Sequence, residues 1–425
     1  MVRPKVNMAT LNPVRGTQDI LPDEHRLFAR VEETARDVAS RYGYGEISTP
    51  IFEFSDVFSR TLGETSDIVT KEMYSFEKGD DRLTLRPEGT AGVARAVMSN
   101  GLRQHLPLKF FYRGPMFRYE RPQKGRRRQF HQVGVELLGV GEPLGDVEVI
   151  ALGHHVLSDL GLADKVTLEI NSLGDSASRH AYREKLVAYL SRFLGDLSED
   201  SKVRLEKNPL RILDSKDEGD RRIVVDAPLL GDSLNDASRK FFDTVLAGLA
   251  SLGIAAKVNP RLVRGLDYYS HTAFEFTTDM LGAQGTVLAG GRYDGLFEMM
   301  GGPTTPGIGW AAGIERLTML IGDAEGPPRP IAIVPLGAAS EAEALKIAQA
   351  LRHARLDVDL GYVGSMKSRM KRADKVNAIA TVIIGDNELA KGVAAVRDMD
   401  SGQQTDVSLA ELERHLARYR ASNRT

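Results

Sequence analysis

Apolar residues recur at helical spacing from Asp23 to Tyr42, at Leu27, Phe28, Val31, Ala35, Val38, Ala39 and Tyr42. With Pro22 before the run, Asp23 placed to cap it and Gly43 placed to end it, the pattern predicts one helix. A strand pattern follows at Glu46–Phe52; Pro50 inside it lacks a ladder donor, which puts that piece at an edge, a bend or an interface. Two longer strand patterns, Leu108–Tyr119 and Gln129–Leu138, flank a basic turn and predict a long antiparallel hairpin. Val166–Asn171, Ala273–Thr278 and Thr286–Ala289 read as further strands. Strands separated by helices, with a hairpin among them, predict an α+β fold: a mostly antiparallel sheet with packed helices, not a doubly wound parallel one.

From about residue 175 to 257 the strand signal nearly vanishes and helical patterns take over, at Ser178–Phe193, Ser198–Lys207 and Asp236–Leu252. This predicts a helical insertion over 175–258, splitting one domain into 1–174 and 259–326. Gly326-Pro327-Pro328-Arg329-Pro330 reads as a stiff linker. Beyond it, strand (Ile331–Leu336), helix (Glu341–Arg355), strand (Asp357–Leu360), helix (Met366–Asn377) and strand (Ala380–Ile384) alternate, which predicts a small α/β domain over 327–425. The first dozen residues are polar, and Met8 is a second candidate start.

Composition narrows the classes. A length of 425 residues suits two or three domains. With 56 basic and 58 acidic residues, net −2, the chain is no polybasic nucleic-acid coat. Zero cysteines exclude disulfides, a thiolate zinc site and a cysteine nucleophile, and suit a reducing, cytoplasmic setting. No apolar run reaches the roughly 20 residues of a bilayer span, so no membrane role is expected. There is no G-x-x-x-x-G-K-S/T loop, no G-x-G-x-x-G between a strand and a helix, no H-E-x-x-H and no G-x-S-x-G. His154-His155 are adjacent, which is wrong for two ligands on one helix face, so no metal site is expected.

Against this balance, the stretch Phe110–His131 holds seven basic residues (Arg113, Arg118, Arg121, Lys124, Arg126, Arg127, Arg128) and one acid, Glu120. A solvated hairpin tip would account for it; so would contact with phosphates, for which arginine offers a bidentate fork. On the return strand Gln132, Gly134 and Glu136 share one face, either as a polar stripe or as a wall for a small polar ligand. Three glycine- and arginine-bearing segments (Arg261–Tyr269, Ala289–Gly295 and Gly307–Leu317) join the hairpin in suggesting a site for an anionic, multi-phosphate substrate.

The segments RGTQD (Arg15–Asp19), TLRPEGTA (Thr84–Ala91), FRYERPQKGRRRQFHQVGVE (Phe117–Glu136), RLVRGLDYY (Arg261–Tyr269), AGGRYDGL (Ala289–Leu296) and GIERL (Gly313–Leu317) resemble those of the bacterial-type histidyl-tRNA synthetases, a class II family. RLVRGLDYY and AGGRYDGL are peculiar to the histidine enzymes, and the resemblance spans essentially the whole chain. It implies a catalytic domain, a helical insertion, a C-terminal anticodon-binding domain, and a homodimer meeting through the long helix and the strand around Pro50. The implied reaction joins L-histidine and ATP to histidyl-adenylate and pyrophosphate, then esterifies tRNA(His).

By the same resemblance Arg118 and Arg264 clamp the histidine carboxylate and α-phosphate, and Arg316 holds the γ-phosphate. Glu88, Gly89, Thr90 and Gln132 surround the α-ammonium, Glu136 and Tyr269 take the imidazole nitrogens, and Tyr268 and Tyr293 line the pocket. Mg2+ comes with ATP, without assigned protein ligands, and no zinc is implied. Arg121 and Gln123 are the implied base readers for the tRNA acceptor end, with Lys124 and Arg126–Arg128 toward phosphates; Arg127 stands where many relatives carry an aromatic. Lys367, Arg369, Lys371, Arg372 and Lys375 form a second basic cluster, either an anticodon-stem contact or a solvated face. The rival implied by the same fold is a non-catalytic regulatory subunit of ATP phosphoribosyltransferase. Such relatives tend to lack the anticodon domain and parts of RLVRGLDYY, both of which are present here.

Overall fold

The computed structural model describes residues 11–63, 66–263, 268–323 and 326–420. Met8 and Arg264, with the rest of 264–267, lie outside the described residues. The chain forms two compact units, Met1–Asp323 and Ala324–Thr425.

The first unit is built on an eight-stranded sheet in the order Gly45–Glu46, Leu108–Phe117, Gln129–Leu138, Gly307–Gly313, Thr286–Arg292, Ser270–Thr277, Thr167–Ser172, Ala256–Val258. Only the two outermost pairings are parallel. The predicted hairpin forms the second and third strands, with Tyr112 opposite Gly134 and Phe110 opposite Glu136. Period-2 alternation sends Val133, Val135 and Leu137 to the core face, where Phe28, Val31, Val38, Leu152 and Trp310 join them in one cluster. Helices Pro22–Arg41, Pro143–Asp159, Asp236–Ser251 and Ile314–Leu320 pack here. The opposite face is therefore left for Gln132, Gly134 and Glu136.

Local chemistry explains where the elements start and stop. Pro22 stands at the first helical position, and Asp23 sits in the first turn beside Arg26 instead of capping the helix. Gly43 ends it at φ +81°. The strand expected at Glu46–Phe52 is two pieces. Gly45–Glu46 joins the main sheet, while Phe52–Phe54 enters a separate three-stranded sheet with Asp81–Leu85 and Ser75–Lys78. Pro50 falls in the break, where no ladder hydrogen bond is needed.

The insertion is helical, as expected, at Ser176–Leu190, Glu199–Lys207 and Glu218–Val224, while Asp236–Ser251, inside the expected bounds, packs on the main core. The expected boundary at 258 takes in Ala256–Val258, which is a strand of the main sheet; three residues carry too little pattern to be seen in sequence. The second unit has a five-stranded sheet ordered Val358–Leu360, Ile331–Leu336, Ala380–Gly385, Val393–Asp398, Gln404–Ser408, with helices Ala338–His353 and Met366–Lys375. Its last strand escaped the periodicity because Gln404–Ser408 is a polar edge with only Val407 buried; Val393–Asp398, interior to the sheet, was also not predicted.

Candidate active site

On the open face of the main sheet lies a cavity of about 300 Å³. Tyr112, Phe130 and Gln132 come from the hairpin, Arg118 follows its first strand, and Glu88, Gly89 and Thr90 come from the turn that opens helix Thr90–Ser99. Tyr268 and Tyr269 precede strand Ser270–Thr277, and Gly309, Gly313, Glu315 and Arg316 come from the strand-to-helix segment.

At one end the groups are polar and buried. Glu136 is fully buried behind the wall; its carboxyl accepts the Thr90 hydroxyl at 2.6 Å and the Tyr293 hydroxyl. Strand geometry makes room for it. Gly309 is its partner across the sheet, and a Cβ there would overlap the Glu136 carboxyl. Glu88 accepts the backbone N–H groups of Thr90 (2.6 Å) and Ala91 (2.9 Å), so the same carboxylate caps the helix and faces the cavity. Tyr268 packs on Tyr269 (ring centroids 4.6 Å) and edge-on to Tyr293 (5.7 Å). The Gln132 amide oxygen is buried with no hydrogen-bond partner among the described residues. A buried acceptor left unmade costs about 1–3 kcal/mol, so this end is built for a ligand that donates N–H.

Burial sets the charges here. It pushes the Glu136 carboxyl up to about 8, with hydrogen bonds from Thr90 and Tyr293 opposing and Glu88 reinforcing. It also raises Glu88 and lifts the hydroxyls of Tyr112, Tyr268 and Tyr293 well above the usual tyrosine value, keeping them neutral donors. Because folding raises the Glu136 pKa, the folded state holds a proton that the unfolded state releases between its ordinary 4.5 and about 8. Stability is then lost as pH rises through that window. Denaturant melts of wild type and Glu136→Gln should diverge accordingly, the variant gaining about 2–3 kcal/mol on wild type between pH 6 and 8.5; parallel pH profiles would refute the shift.

The other end is cationic. Arg118 donates from Nε to the Pro87 carbonyl (2.9 Å) and lies over the Phe130 ring, leaving its guanidinium on the cavity wall. Arg316 donates to the carbonyls of Thr286 (2.6 Å) and Gly125 (3.3 Å); burial, then repulsion from Arg126, lowers its pKa. Arg126 pairs with Glu120 at 2.8 Å.

The structure brings together Glu88, Gly89, Thr90, Arg118, Gln132, Tyr268, Tyr269 and Arg316 on one wall, with Glu136 and Tyr293 directly behind. Arg121, Gln123 and Lys124 are exposed at the hairpin tip. Arg126, Arg127 and Arg128 are half-buried: Arg126 and Arg127 line the cavity, Arg127 also against Glu24, while Arg128 lies against backbone carbonyls and the Tyr119 ring. Arg113 is turned to the helix face by Glu32 and Glu46. In the C-terminal unit Arg369 is buried against Glu341 and Arg372 is forked on Asp359, so the exposed basic face reduces to Lys367, Lys371 and Lys375. Sequence reasoning missed Tyr112, Glu275 and Glu315 on the wall. Tyr112 was findable: in the hairpin register it stands opposite Gly134, on the Gln132–Glu136 face.

A family model described as Histidyl-tRNA synthetase matches residues 16–317, and one described as Anticodon binding domain matches 330–418. A protein of Rhodospirillum rubrum named Histidine--tRNA ligase is 63% identical over 414 residues, 97% of this chain and 100% of that relative. Among solved structures, apo histidyl-tRNA synthetase of S. aureus aligns with a TM-score of 0.81 at 37% identity, over 96% of this chain and 99% of that one. A chain from Bacillus halodurans described as an ATP phosphoribosyltransferase regulatory subunit/histidyl-tRNA synthetase shares the fold, with a TM-score of 0.63 at 23% identity over 86% of this chain and 97% of that one. Fold, cavity and relationships define an ATP-dependent aminoacyl-tRNA ligase. The chain belongs to the histidyl-tRNA synthetase family. Nothing in these relationships favours the regulatory alternative.

Proposed function

We propose that this cavity joins L-histidine to tRNA(His) in two steps, with the polar end holding the amino acid and the cationic end holding ATP. The carboxylate of histidine attacks the α-phosphorus, pyrophosphate leaves, and a terminal ribose hydroxyl of the tRNA then displaces AMP from the adenylate. The substrate is its own nucleophile, so the protein's task is to orient groups and stabilise charge on phosphate oxygens. Arg118 and Arg264 hold the carboxylate and α-phosphate and Arg316 the γ-phosphate. The α-ammonium donates to Gln132, with Glu88 and Thr90 beside it. Glu136 and Tyr269 take the ring nitrogens and select one tautomer. Such hydrogen bonding rejects analogues that lack it by roughly 10⁴–10⁵.

The observation that carries this reading is the unpartnered Gln132 acceptor, in one cavity with Arg118 and Arg316. Among the described residues no group of three or more His, Cys, Asp or Glu could hold a metal by itself. Mg2+ needs few protein ligands when phosphates supply the rest, and Glu275, a wall carboxylate, would hold it together with ATP. Arg121 and Gln123 would read the acceptor end of the tRNA. No helix among the described residues is long and apolar enough to cross a membrane, and the lack of cysteine supports work in the cytoplasm. Histidine-dependent ATP–pyrophosphate exchange, with proline and threonine as controls, tests the assignment. Exchange with histidine alone is expected; a folded protein inert with all three would refute it.

The working form is a homodimer in this reading. Phe52, Phe54 and Phe76 lie on one face of the three-stranded sheet, 54%, 58% and 44% exposed, an apolar patch of the kind that partners cover. Sedimentation equilibrium should give twice the 46.6 kDa of the chain, and Phe54→Asp should shift the mass toward one chain.

A further inference from the structure

We propose that the helical insertion sets the position of the histidine-binding tyrosines, with Arg179 and Arg261 as its positioning residues. This deepens the reading above and rests on it. Tyr268 and Tyr269 precede the strand that begins at Ser270, so sheet pairing does not hold them as it holds Gln132 or Gly309. The insertion supplies the missing restraints from two sides.

Upstream, Arg261 reaches the insertion where helix Glu218–Val224 ends. Its guanidinium donates to the carbonyls of Ala227 (2.6 Å), Val225 (2.8 Å) and Pro228 (3.4 Å). A helix C-terminus exposes carbonyls that need donors, and a cation there is favoured by the dipole. The Tyr182 hydroxyl, from insertion helix Ser176–Leu190, donates to the same Pro228 carbonyl at 2.9 Å, so the anchor belongs to the packed body of the insertion.

Downstream, Arg179 of that helix donates from Nη1 to the backbone carbonyl of Tyr269 at 3.0 Å. Two residues further on, His271 holds a left-handed backbone at φ +44°, and its ring stacks on Phe241 of helix Asp236–Ser251, which follows the insertion and packs on the main core, with centroids 4.8 Å apart. Positive φ is costly for a residue with a Cβ. Here it coincides with a register shift against the neighbouring strand: Gly291 pairs with Ala273 while Arg292 pairs with Ser270. Such a bulge re-aims the side chains before it. From Tyr269 the contacts run through Tyr268 to Tyr293 and so to the Glu136 carboxyl. A shift at the anchors therefore reaches the groups assigned to the imidazole, whereas Arg118 and Arg316 hang on other elements.

Pyrophosphate exchange on the full-length protein, titrating histidine and ATP separately, tests this. Arg179→Ala should raise the KM for histidine about tenfold, the loss expected for one hydrogen bond, with the KM for ATP and the thermal midpoint near wild type. Arg179→Lys, which keeps one donor, should recover part of it. Arg261→Ala should act in the same direction; if it fails to fold, Tyr182→Phe, which removes the second donor to the Pro228 carbonyl but stays aromatic, takes its place. Unchanged histidine KM in folded Arg179→Ala, or equal rises for histidine and ATP, would overturn the inference while leaving the ligase reading intact. A wild-type protein inert with histidine would sink the reading itself.

Discussion

Arg118→Ala is expected to lower kcat of histidine-dependent pyrophosphate exchange by about 10³-fold, in the range seen when a cation or donor aimed at developing phosphate charge is lost. Its guanidinium is held for this from behind, by the Pro87 carbonyl and the Phe130 ring, and stays on the cavity wall. In the adenylation step negative charge grows on the oxygens around the α-phosphorus, so the interaction strengthens toward the transition state. The KM values should move far less than kcat. Arg118→Lys keeps the charge and loses the planar fork, and should fall between wild type and alanine. Arg118 also helps hold down the pKa of Glu72, which burial and Glu120 raise, so its removal also leaves acidic groups less compensated beside the phosphate site. An alanine variant that keeps wild-type kcat would remove Arg118 from the mechanism.

Glu136→Gln is expected to cost histidine activation about 10–10²-fold in kcat/KM, what one lost buried hydrogen bond supplies. The amide preserves volume but presents an N–H2 and one acceptor where two carboxyl oxygens now meet Thr90 and Tyr293. In the proposed reading it can no longer impose one tautomer on the ring. Binding of tRNA, carried elsewhere, should change by less than about twofold, and the variant should be at least as stable as wild type at neutral pH, because the wild-type carboxyl must hold a proton there that the amide does not need. Lost activity together with retained stability is the signature of a substrate contact. Normal exchange would sink the assignment, and a general loss of stability would mark Glu136 as structural.

Much of this arrangement was legible before any coordinates. The hairpin Leu108–Phe117/Gln129–Leu138 is written in alternation strong enough to assign faces. Its register then puts Gln132, Gly134 and Glu136 together, and Tyr112 with them. The α/β alternation after residue 330 and the helical insertion were equally plain, because each is a periodicity carried by ten or more residues.

Other features were hidden because they join residues far apart in sequence. Thr90 meets Glu136 across 46 positions, and Asp146 meets Arg292 across 146. Arg292 belongs to AGGRYDGL, a segment that reads as part of a site for an anionic substrate. In the fold it is fully buried against Asp146 and Asp294 and fixes the turn that carries Tyr293. Glu88 reads as a substrate carboxylate, yet it also caps a helix. Arg369 reads as one of five surface cations and proves to be buried on Glu341.

The longer strands and helices, the places where glycine and proline interrupt them, and the side chains that share a face are legible from the chain alone. Those are decisions among neighbours, made by backbone sterics and by the pairing of apolar positions a few residues apart. Only the tertiary structure decided which charges are paired, which are desolvated and which still lack a partner. That outcome depends on what the sheet order brings against each group and on how much water is removed when it does. The carboxyl of Glu136 and the amide of Gln132 stand on the same strand face. One accepts from Thr90 and Tyr293, and the oxygen of the other has no hydrogen-bond partner among the described residues.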